Sequence, residues 1–233
     1  MIGATNKIKA GGELHSHILE LLQGWNGFPV LDEAMHIFAD TDVFIAGGVV
    51  RDVFSDANRK PNDFDFFLHG PQVPEFVNWI GERGTLRFGP FGSPRWWPHE
   101  EIDPYADLIP VATFDNGLWA CRNIVDALNQ FDFTANAVAL NLRTKELFDP
   151  QNGVLDARQR IMRAVRFDYP DEPISQQCSL SRRSVMWTRL VHYANTLDFS
   201  IEPVTRRWLQ QHSFYAVDAE VFGEVFFPPC IKC

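Results

Sequence analysis

The most informative fragment of the chain is Gly47-Gly48-Val49-Val50-Arg51-Asp52, followed eleven residues after Asp52 by Asp63-Phe64-Asp65. The two acids are spaced i, i+2 in a β-rich run, so both carboxylates project from one face of a strand. Acids this close repel each other unless a cation lies between them, and Mg²⁺ prefers oxygen ligands, including those of water and phosphate. A Gly-Gly turn at the start of a helix presents free backbone N–H groups to an anion. The fragment therefore indicates a site for a metal ion and a phosphate group.

The pattern around this fragment alternates between strand and helix. Breaker residues make 89–98 a predicted loop, and the start of 133–142 fits either a helix or a strand, with a strand favoured from Ala137. Strands are predicted at Asp42–Ala46, Asp63–Leu68, Thr85–Phe88, Tyr105–Val111 and Lys145–Phe148. Helices are predicted at Glu13–Leu22, Leu31–Phe38, Val49–Phe54, Glu75–Arg83, Ile124–Leu128, Ala157–Arg166, Arg182–Leu197 and Val204–Gln211.

Three motifs in order carry a family resemblance. The fragment GGVVRD…DFDFF resembles the head-domain signature of class II tRNA nucleotidyltransferases and bacterial poly(A) polymerases, of the DNA polymerase β nucleotidyltransferase superfamily. Residues 130–137, Gln-Phe-Asp-Phe-Thr-Ala-Asn-Ala, resemble the family's R-R-D-[FL]-T-I-N-[AS] motif. Residues 147–156 resemble the L-x-D-x-x-x-G-x-x-D-L segment that follows it. Together the matches span about Val43 to Val165.

The resemblance implies an α/β (α+β) fold, namely a polymerase-β-like nucleotidyltransferase head with a mixed sheet, followed by a short helical region. We expect the head domain with its N-terminal helices at 1–166 and a truncated, neck-like helical region with a tail at 178–233. The segment 167–177, with two prolines and three acids, is predicted to be the linker.

The resemblance also implies a two-metal site. Asp63 and Asp65 would hold Mg²⁺ ions, one activating a 3′-hydroxyl and one gripping a triphosphate. The family takes a third carboxylate from a neighbouring strand, and Asp107 is preferred to Asp103 and Asp115 because it lies within a similar apolar strand. The catalytic and metal-binding residues implied are thus Asp63, Asp65 and Asp107. The nucleotide-binding residues implied are Gly47, Gly48, Arg51, Asp52, Asp132, Thr134 and Asn136.

The chain departs from the family pattern in two places. Gln130-Phe131 replaces the paired arginines before the D-F-T sequence. Arg182-Arg183-Ser-Val-Met186 stands where the family's E-D-x-x-R motif reads the incoming base, so that template is absent. We also expect no counterpart, within these residues, of the body and tail domains that hold a tRNA in the family. We therefore expect either relaxed base selection or selection by a group elsewhere in the pocket. We regard programmed C-C-A addition as doubtful, whereas transfer of a single nucleotide is chemically possible.

The charge distribution bears on the partners. A net charge of −9 and a pI near 5.2 argue against a protein that coats nucleic acid through a global positive field. Seven arginines between Arg158 and Arg189 nevertheless oppose only three acids there. These arginines form either an RNA-binding face or a merely solvated one, and the RNA-binding interpretation rests on Arg182, Arg183 and Arg189. No run is apolar enough for a bilayer span, so we expect a cytoplasmic protein without membrane or DNA partners.

The function predicted from the sequence is a Mg²⁺-dependent nucleotidyltransferase that moves NMP from ATP or CTP to an RNA 3′-hydroxyl, of a tRNA or another 3′ end, releasing pyrophosphate. Two alternatives remain open at this point. One is a toxin-like or signalling transferase that modifies tRNA or protein. The other is a non-catalytic nucleotide- or RNA-binding module, against which the paired acids Asp63 and Asp65 argue because unused neighbouring carboxylates are electrostatically costly.

Overall fold

The computed structural model describes residues 7–9, 12–55, 57, 59–99, 104–114, 118–175 and 178–231. Eight strands form one mixed sheet in the order β1-β8-β7-β2-β3-β6-β5-β4, in which β3 and β6 run parallel and the other neighbours named run antiparallel. The strands are β1 (Lys7–Lys9), β2 (Asp42–Ala46), β3 (Asp63–His69), β4 (Thr85–Phe88), β5 (Pro94–Trp97), β6 (Tyr105–Pro110), β7 (Ala139–Asn141) and β8 (Glu146–Phe148).

Helices and short strand pairs complete the described structure. The helices are α1 (Gly12–Gln23), α2 (Phe28–Ile37), α3 (Gly48–Phe54), α4 (Val73–Gly81), α5 (Ile124–Leu128), α6 (Gly153–Gln159), α7 (Arg182–Leu197), α8 (Pro203–Gln211) and α9 (Ala219–Val225). The remaining strands, which form two separate pairs, are β9 (Ile161–Met162), β10 (Pro173–Ser175), β11 (Cys178–Ser181) and β12 (Ser200–Ile201). In the part of the chain described, no helix combines the length and hydrophobicity needed to cross a membrane.

The alternation of residues in β3 divides the sheet into a core face and a cleft face. Phe64 and Phe66 are almost completely buried and share one hydrophobic core with Ile18, Leu22 and Leu31 from α1 and α2. Because side chains alternate along a strand, the acids at positions 63 and 65 lie on the opposite face. The predicted strands at 42–46 and 63–68 and the predicted helices at 124–128 and 182–197 are confirmed.

The prediction of a loop at 89–98 was wrong for its second half, because Pro94–Trp97 is strand β5. Trp96 is fully buried and meets the ring of Trp25 edge-to-face, with ring centroids 5.7 Å apart. Ladder pairing with β4 and β6 and burial of this indole outweigh the breaker residues around it. Trp96 is thus a core residue of the sheet.

The helix predicted at 157–166 was also wrong from Arg160 onward. Helix α6 ends at Gln159, because Arg160 adopts the left-handed conformation with φ 53°. Ile161 and Met162 then form β9, which pairs in parallel with β12. The segment left open at 133–142 forms a 3₁₀ turn at 134–136 and then strand β7.

The segment predicted as a linker is attached to the head. Tyr169 is buried, and its hydroxyl donates to the carbonyls of Gln130 and Phe131. Residues 173–175 form β10 and pair with β11, whereas 176–177 lie outside the described residues. One core cluster contains Phe133 and Met162 together with Trp187 of α7. The division into domains at 1–166 and 178–233 stays a prediction, but the two parts share a core.

Trp96 and Trp97 provide a matched test of the sheet placement, since they are adjacent and point to opposite faces. We expect Trp96→Ala to lower the free energy of unfolding by roughly 3–5 kcal/mol, because it opens a cavity in the core. Trp97→Ala should cost on the order of 1 kcal/mol, because that side chain is only half-buried. Urea unfolding of both variants measures the difference, and equal losses would contradict the placement of Trp96.

Candidate active site

A tight turn forms one wall of the site. Strand β2 ends at Ala46, Gly47 follows with φ 72° and ψ −138°, and α3 begins at Gly48. A side chain is strained at this φ, and a Cβ on Gly47 would lie 2.4 Å from Oδ2 of Asp65. Glycine is therefore required at position 47 by both the backbone and the close approach of the carboxylate.

Three carboxylates meet on the cleft face of the sheet. The register places Asp65 beside Asp107 of β6 and Asp63 beside Tyr105. The hydroxyl of Tyr105 donates to Oδ2 of Asp63 at 3.2 Å. Arg95, the cross-strand partner of Asp107 on β5, donates from Nε to Oδ1 of Asp107 at 3.0 Å. The three acids preferred from the sequence are thus brought together, while Asp103 and Asp115 lie outside the described residues.

Burial and neighbouring charge raise the pKa values of two of these acids, Asp65 and Asp107. Burial at the floor of the cleft, followed by repulsion from Asp63 and Asp107, raises the pKa of Asp65 well above its usual value. Burial likewise raises the pKa of Asp107 to about 6, although the Arg95 guanidinium opposes that shift. Removing solvent from Tyr105 and placing it beside Asp63 raises the pKa of its phenol too. These carboxylates therefore lie where a cation would stabilise their ionised forms.

The predicted nucleotide-binding residues form a connected polar network. Arg51 is 6% exposed and donates from Nη1 to the Asn136 side chain at 2.7 Å and from Nε to Asp52 at 2.8 Å. The Asn136 amide donates to Asp132 at 3.5 Å, and Arg189 of α7 donates from Nε to the other oxygen of Asp132 at 2.8 Å. Since the side chains of α3, of the 132–136 turn and of α7 are linked, the helical region forms part of the cleft.

Thr134 takes a different place from its predicted partners. Its hydroxyl donates to Oδ2 of Asp156 at 2.6 Å, and Arg163 donates to the same oxygen at 2.9 Å. Thr134 does not line the cleft that Gly48, Arg51, Asp52, Asp132 and Asn136 line. In this structure it anchors the start of α6, and its assignment to the nucleotide site stays a prediction.

The predicted RNA-binding arginines do not share one face. Arg189 lies in the cleft, with its guanidinium carbon 5.2 Å from the centroid of the Tyr193 ring. Arg183 points elsewhere: its Nε donates to the Tyr169 carbonyl at 3.0 Å, and its Nη1 lies 3.8 Å from Asp171. Neither Arg182 nor Arg183 lines the cleft, whereas Met186 does. The RNA-binding role of the three arginines stays a prediction, and only Arg189 lies near the acids.

The cleft has a volume of about 1020 Å³ and is lined by residues that sequence reasoning did not assign to the site. Arg95 was missed because its segment was predicted as a loop. Tyr105 carried a signal, since it stands two residues before Asp107 and therefore shares its strand face. The helical spacing of Met186, Arg189 and Tyr193 also indicated that these residues lie together, since residues three and four apart share a helix face. Among the described residues, no group of three or more His, Cys, Asp or Glu side chains has the geometry of a preformed metal centre.

Comparison with known proteins identifies the fold. No family model and no curated protein sequence matches the chain. A CCA-adding enzyme in complex with ATP superposes with a TM-score of 0.64 and 21% identity, over 91% of this chain and 49% of the enzyme. The Thermotoga maritima CCA-adding enzyme complexed with tRNA superposes with a TM-score of 0.60 and 20% identity, over 94% of this chain and 49% of the enzyme. A tRNA nucleotidyltransferase complexed with a primer tRNA and an incoming ATP analogue superposes with a TM-score of 0.58 and 20% identity, over 80% of this chain and 52% of that enzyme.

The fold is that of these nucleotidyltransferases, and the predicted mixed α/β class is confirmed. The chain spans about half the length of the structures it matches. The family resemblance stated from the motifs is therefore supported at the level of the fold.

The raised pKa of Asp65 predicts that a neutral replacement of this residue stabilises the fold in a pH-dependent way. In the unfolded chain Asp65 ionises near pH 3.9, whereas in the folded protein its pKa is higher. As pH rises above the unfolded pKa, the folded protein therefore loses stability relative to the unfolded chain. Below the unfolded pKa the carboxyl is protonated in both states and costs no stability. Asp65→Asn should therefore raise the free energy of unfolding clearly at about pH 7.5, and much less at about pH 4.

Urea unfolding without divalent ions measures this gain. Glu75→Gln removes an exposed acid of α4 and serves as the control, with little change expected at either pH. An equal gain from Asp65→Asn at both pH values would show that Asp65 is not under electrostatic strain.

Proposed function

We propose that the protein is a Mg²⁺-dependent nucleotidyltransferase that transfers NMP from an NTP to the 3′-hydroxyl of an RNA, releasing pyrophosphate. The observation that carries the proposal is the meeting of Asp63, Asp65 and Asp107 on one sheet face, against the Gly47-Gly48 turn. The fold of structures complexed with ATP and tRNA supports the same substrate classes.

The residues fit a divalent cation. Three acids meet at the cleft floor, where burial and the charges of their neighbours raise the pKa values of Asp65 and Asp107, and carboxylate oxygens are the ligands that Mg²⁺ prefers. The bonds from Tyr105 and Arg95 each engage one oxygen of their carboxylate. Asp63, Asp65 and Asp107 are accordingly the residues that would hold Mg²⁺. When bound, Mg²⁺ supplies charge that stabilises the attacking and leaving oxygens of an in-line displacement.

The chain's own groups have distinct roles in the proposed reaction. The acceptor oxygen forms a bond to the α-phosphorus while the bond from that phosphorus to the pyrophosphate oxygen breaks. A carboxylate of the cleft floor can take the proton that the hydroxyl loses. The Gly47-Gly48 turn at the start of α3 binds the triphosphate, and Arg51 is held beside it by Asp52 and Asn136.

The positions that would read a base offer little hydrogen bonding. Met186 lines the cleft, but a thioether is only a weak acceptor. Arg183 is engaged by the Tyr169 carbonyl and by Asp171, outside the cleft lining. We therefore propose relaxed selection among NTPs and transfer of single nucleotides, with ATP and CTP both accepted.

Neutral replacement of either paired acid tests the proposed chemistry. We expect Asp63→Asn and Asp65→Asn to reduce pyrophosphate release by several orders of magnitude without loss of the fold, since each removes a ligand from the cleft floor and leaves the core intact. Glu75→Gln is the matched control and should retain activity. The assay supplies each NTP, Mg²⁺ and total tRNA, with thermal melting in parallel, and near-normal turnover in either Asp variant would rule out the assignment.

Selectivity among the NTPs tests whether the chain lacks a base-reading motif. We expect kcat/KM for CTP and UTP on one acceptor to differ by no more than roughly 10–100-fold, because shape and stray hydrogen bonds discriminate weakly. Met186→Leu keeps the packing and should leave the ratio unchanged. Strict addition of C and then A to a tRNA that lacks its 3′ end would instead show that a base-reading group exists elsewhere in the cleft.

A further inference from the structure

Two phenylalanines from distant parts of the chain meet at the cleft. Phe91 lies in the turn between β4 and β5, and Phe226 follows α9, with ring centroids 5.2 Å apart. Both line the cleft, and Phe91 remains 43% exposed. An aromatic surface is therefore accessible in the same cleft that holds the three acids.

The segments that carry these rings are held in place. In the turn, the Gly89 N–H donates to the Ser93 carbonyl at 2.8 Å, and the Gly92 N–H donates to the Gly89 carbonyl at 2.9 Å. After Phe226, the Cys230 N–H donates to Nδ1 of His192 on α7 at 2.8 Å. The Asn195 side chain donates to the Cys230 carbonyl at 2.9 Å. The aromatic pair is thus supported by the sheet on one side and by α7 on the other.

The sheet order separates this pair from the phosphate-binding turn. Gly47 follows β2, which neighbours β3 on the side away from β6. The turn with Phe91 precedes β5, which lies beyond β6. Arg95, the second residue of β5, pairs with Asp107. The acids therefore lie between the Gly47-Gly48 turn and Phe91. If the triphosphate occupies the turn, the acceptor must approach from the side of Phe91.

We infer that Phe91 and Phe226 form a stacking platform for the unpaired 3′-terminal base of an RNA acceptor. The inference rests on the proposed function, which places an RNA 3′ end at the acids. Aromatic side chains stack on any base, so the platform would bind an end without reading its sequence. Arg59 and Lys60 are exposed and line the same cleft, where they would contact the backbone phosphates of that strand.

The test uses a short unstructured RNA whose last nucleotide is 2-aminopurine, a base whose fluorescence is quenched by stacking. We expect quenching on binding to the unaltered protein. Phe91→Leu and Phe226→Ala should weaken the quenching and raise the acceptor KM roughly tenfold, with the NTP KM unchanged. Phe91→Leu keeps an apolar contact with Phe226 and so separates stacking from folding, and Phe91→Tyr should restore both measurements.

Phe88→Ala is the matched control, because Phe88 lies on β4 in the same hairpin, is 74% exposed and does not line the cleft. It should change neither the quenching nor the acceptor KM. Unaltered quenching in folded Phe91→Leu, or no quenching by the unaltered protein, would overturn the platform. Intact quenching without transfer from any NTP would overturn the proposed function but not the platform.

Discussion

The repulsion among three carboxylates is the constraint on which the rest of the cleft depends. The register of β3 with β6 places Asp65 beside Asp107, and the alternation along β3 adds Asp63 to the same face. Burial prevents water from screening the charges, which raises the pKa values of Asp65 and Asp107. Arg95 donates a hydrogen bond to Asp107 and Tyr105 donates one to Asp63, which partly offsets the repulsion. The repulsion that remains favours a bound cation.

A buried charge pair joins α7 to the turn at 132–136. Asp132 is 4% exposed and accepts from Arg189, so removing either partner would leave an uncompensated charge in the interior. The same carboxylate accepts from Asn136, which in turn accepts from Arg51 beside the Gly47-Gly48 turn. Through these bonds the position of α7 is coupled to the phosphate-binding turn, so the cleft requires both parts of the chain.

Local sequence determined a large part of the fold. The i, i+2 spacing of Asp63 and Asp65 and the glycines at 47 and 48 act within a few residues, so they predicted a strand, a turn and a helix start in their observed places. Helix α7 was likewise predicted with the bounds observed, since its residue spacing is a local signal. Strand β5 was not predicted, because it depends on pairing with β4 and β6 and on burial of Trp96 against Trp25. The end of α6 was not predicted either, because β9, which follows it, pairs with the distant strand β12.

The sequence by itself thus determined which residue types carry the charge, the local elements that hold them and, through its motifs, the expected fold. Tertiary structure alone decided that Arg95 pairs with Asp107, that Arg189 faces the cleft while Arg183 does not, and that Phe226 meets Phe91. The physical reason is distance along the chain. Strand register and helix docking join residues that no local spacing relates, and burial then sets the strength of each charge interaction.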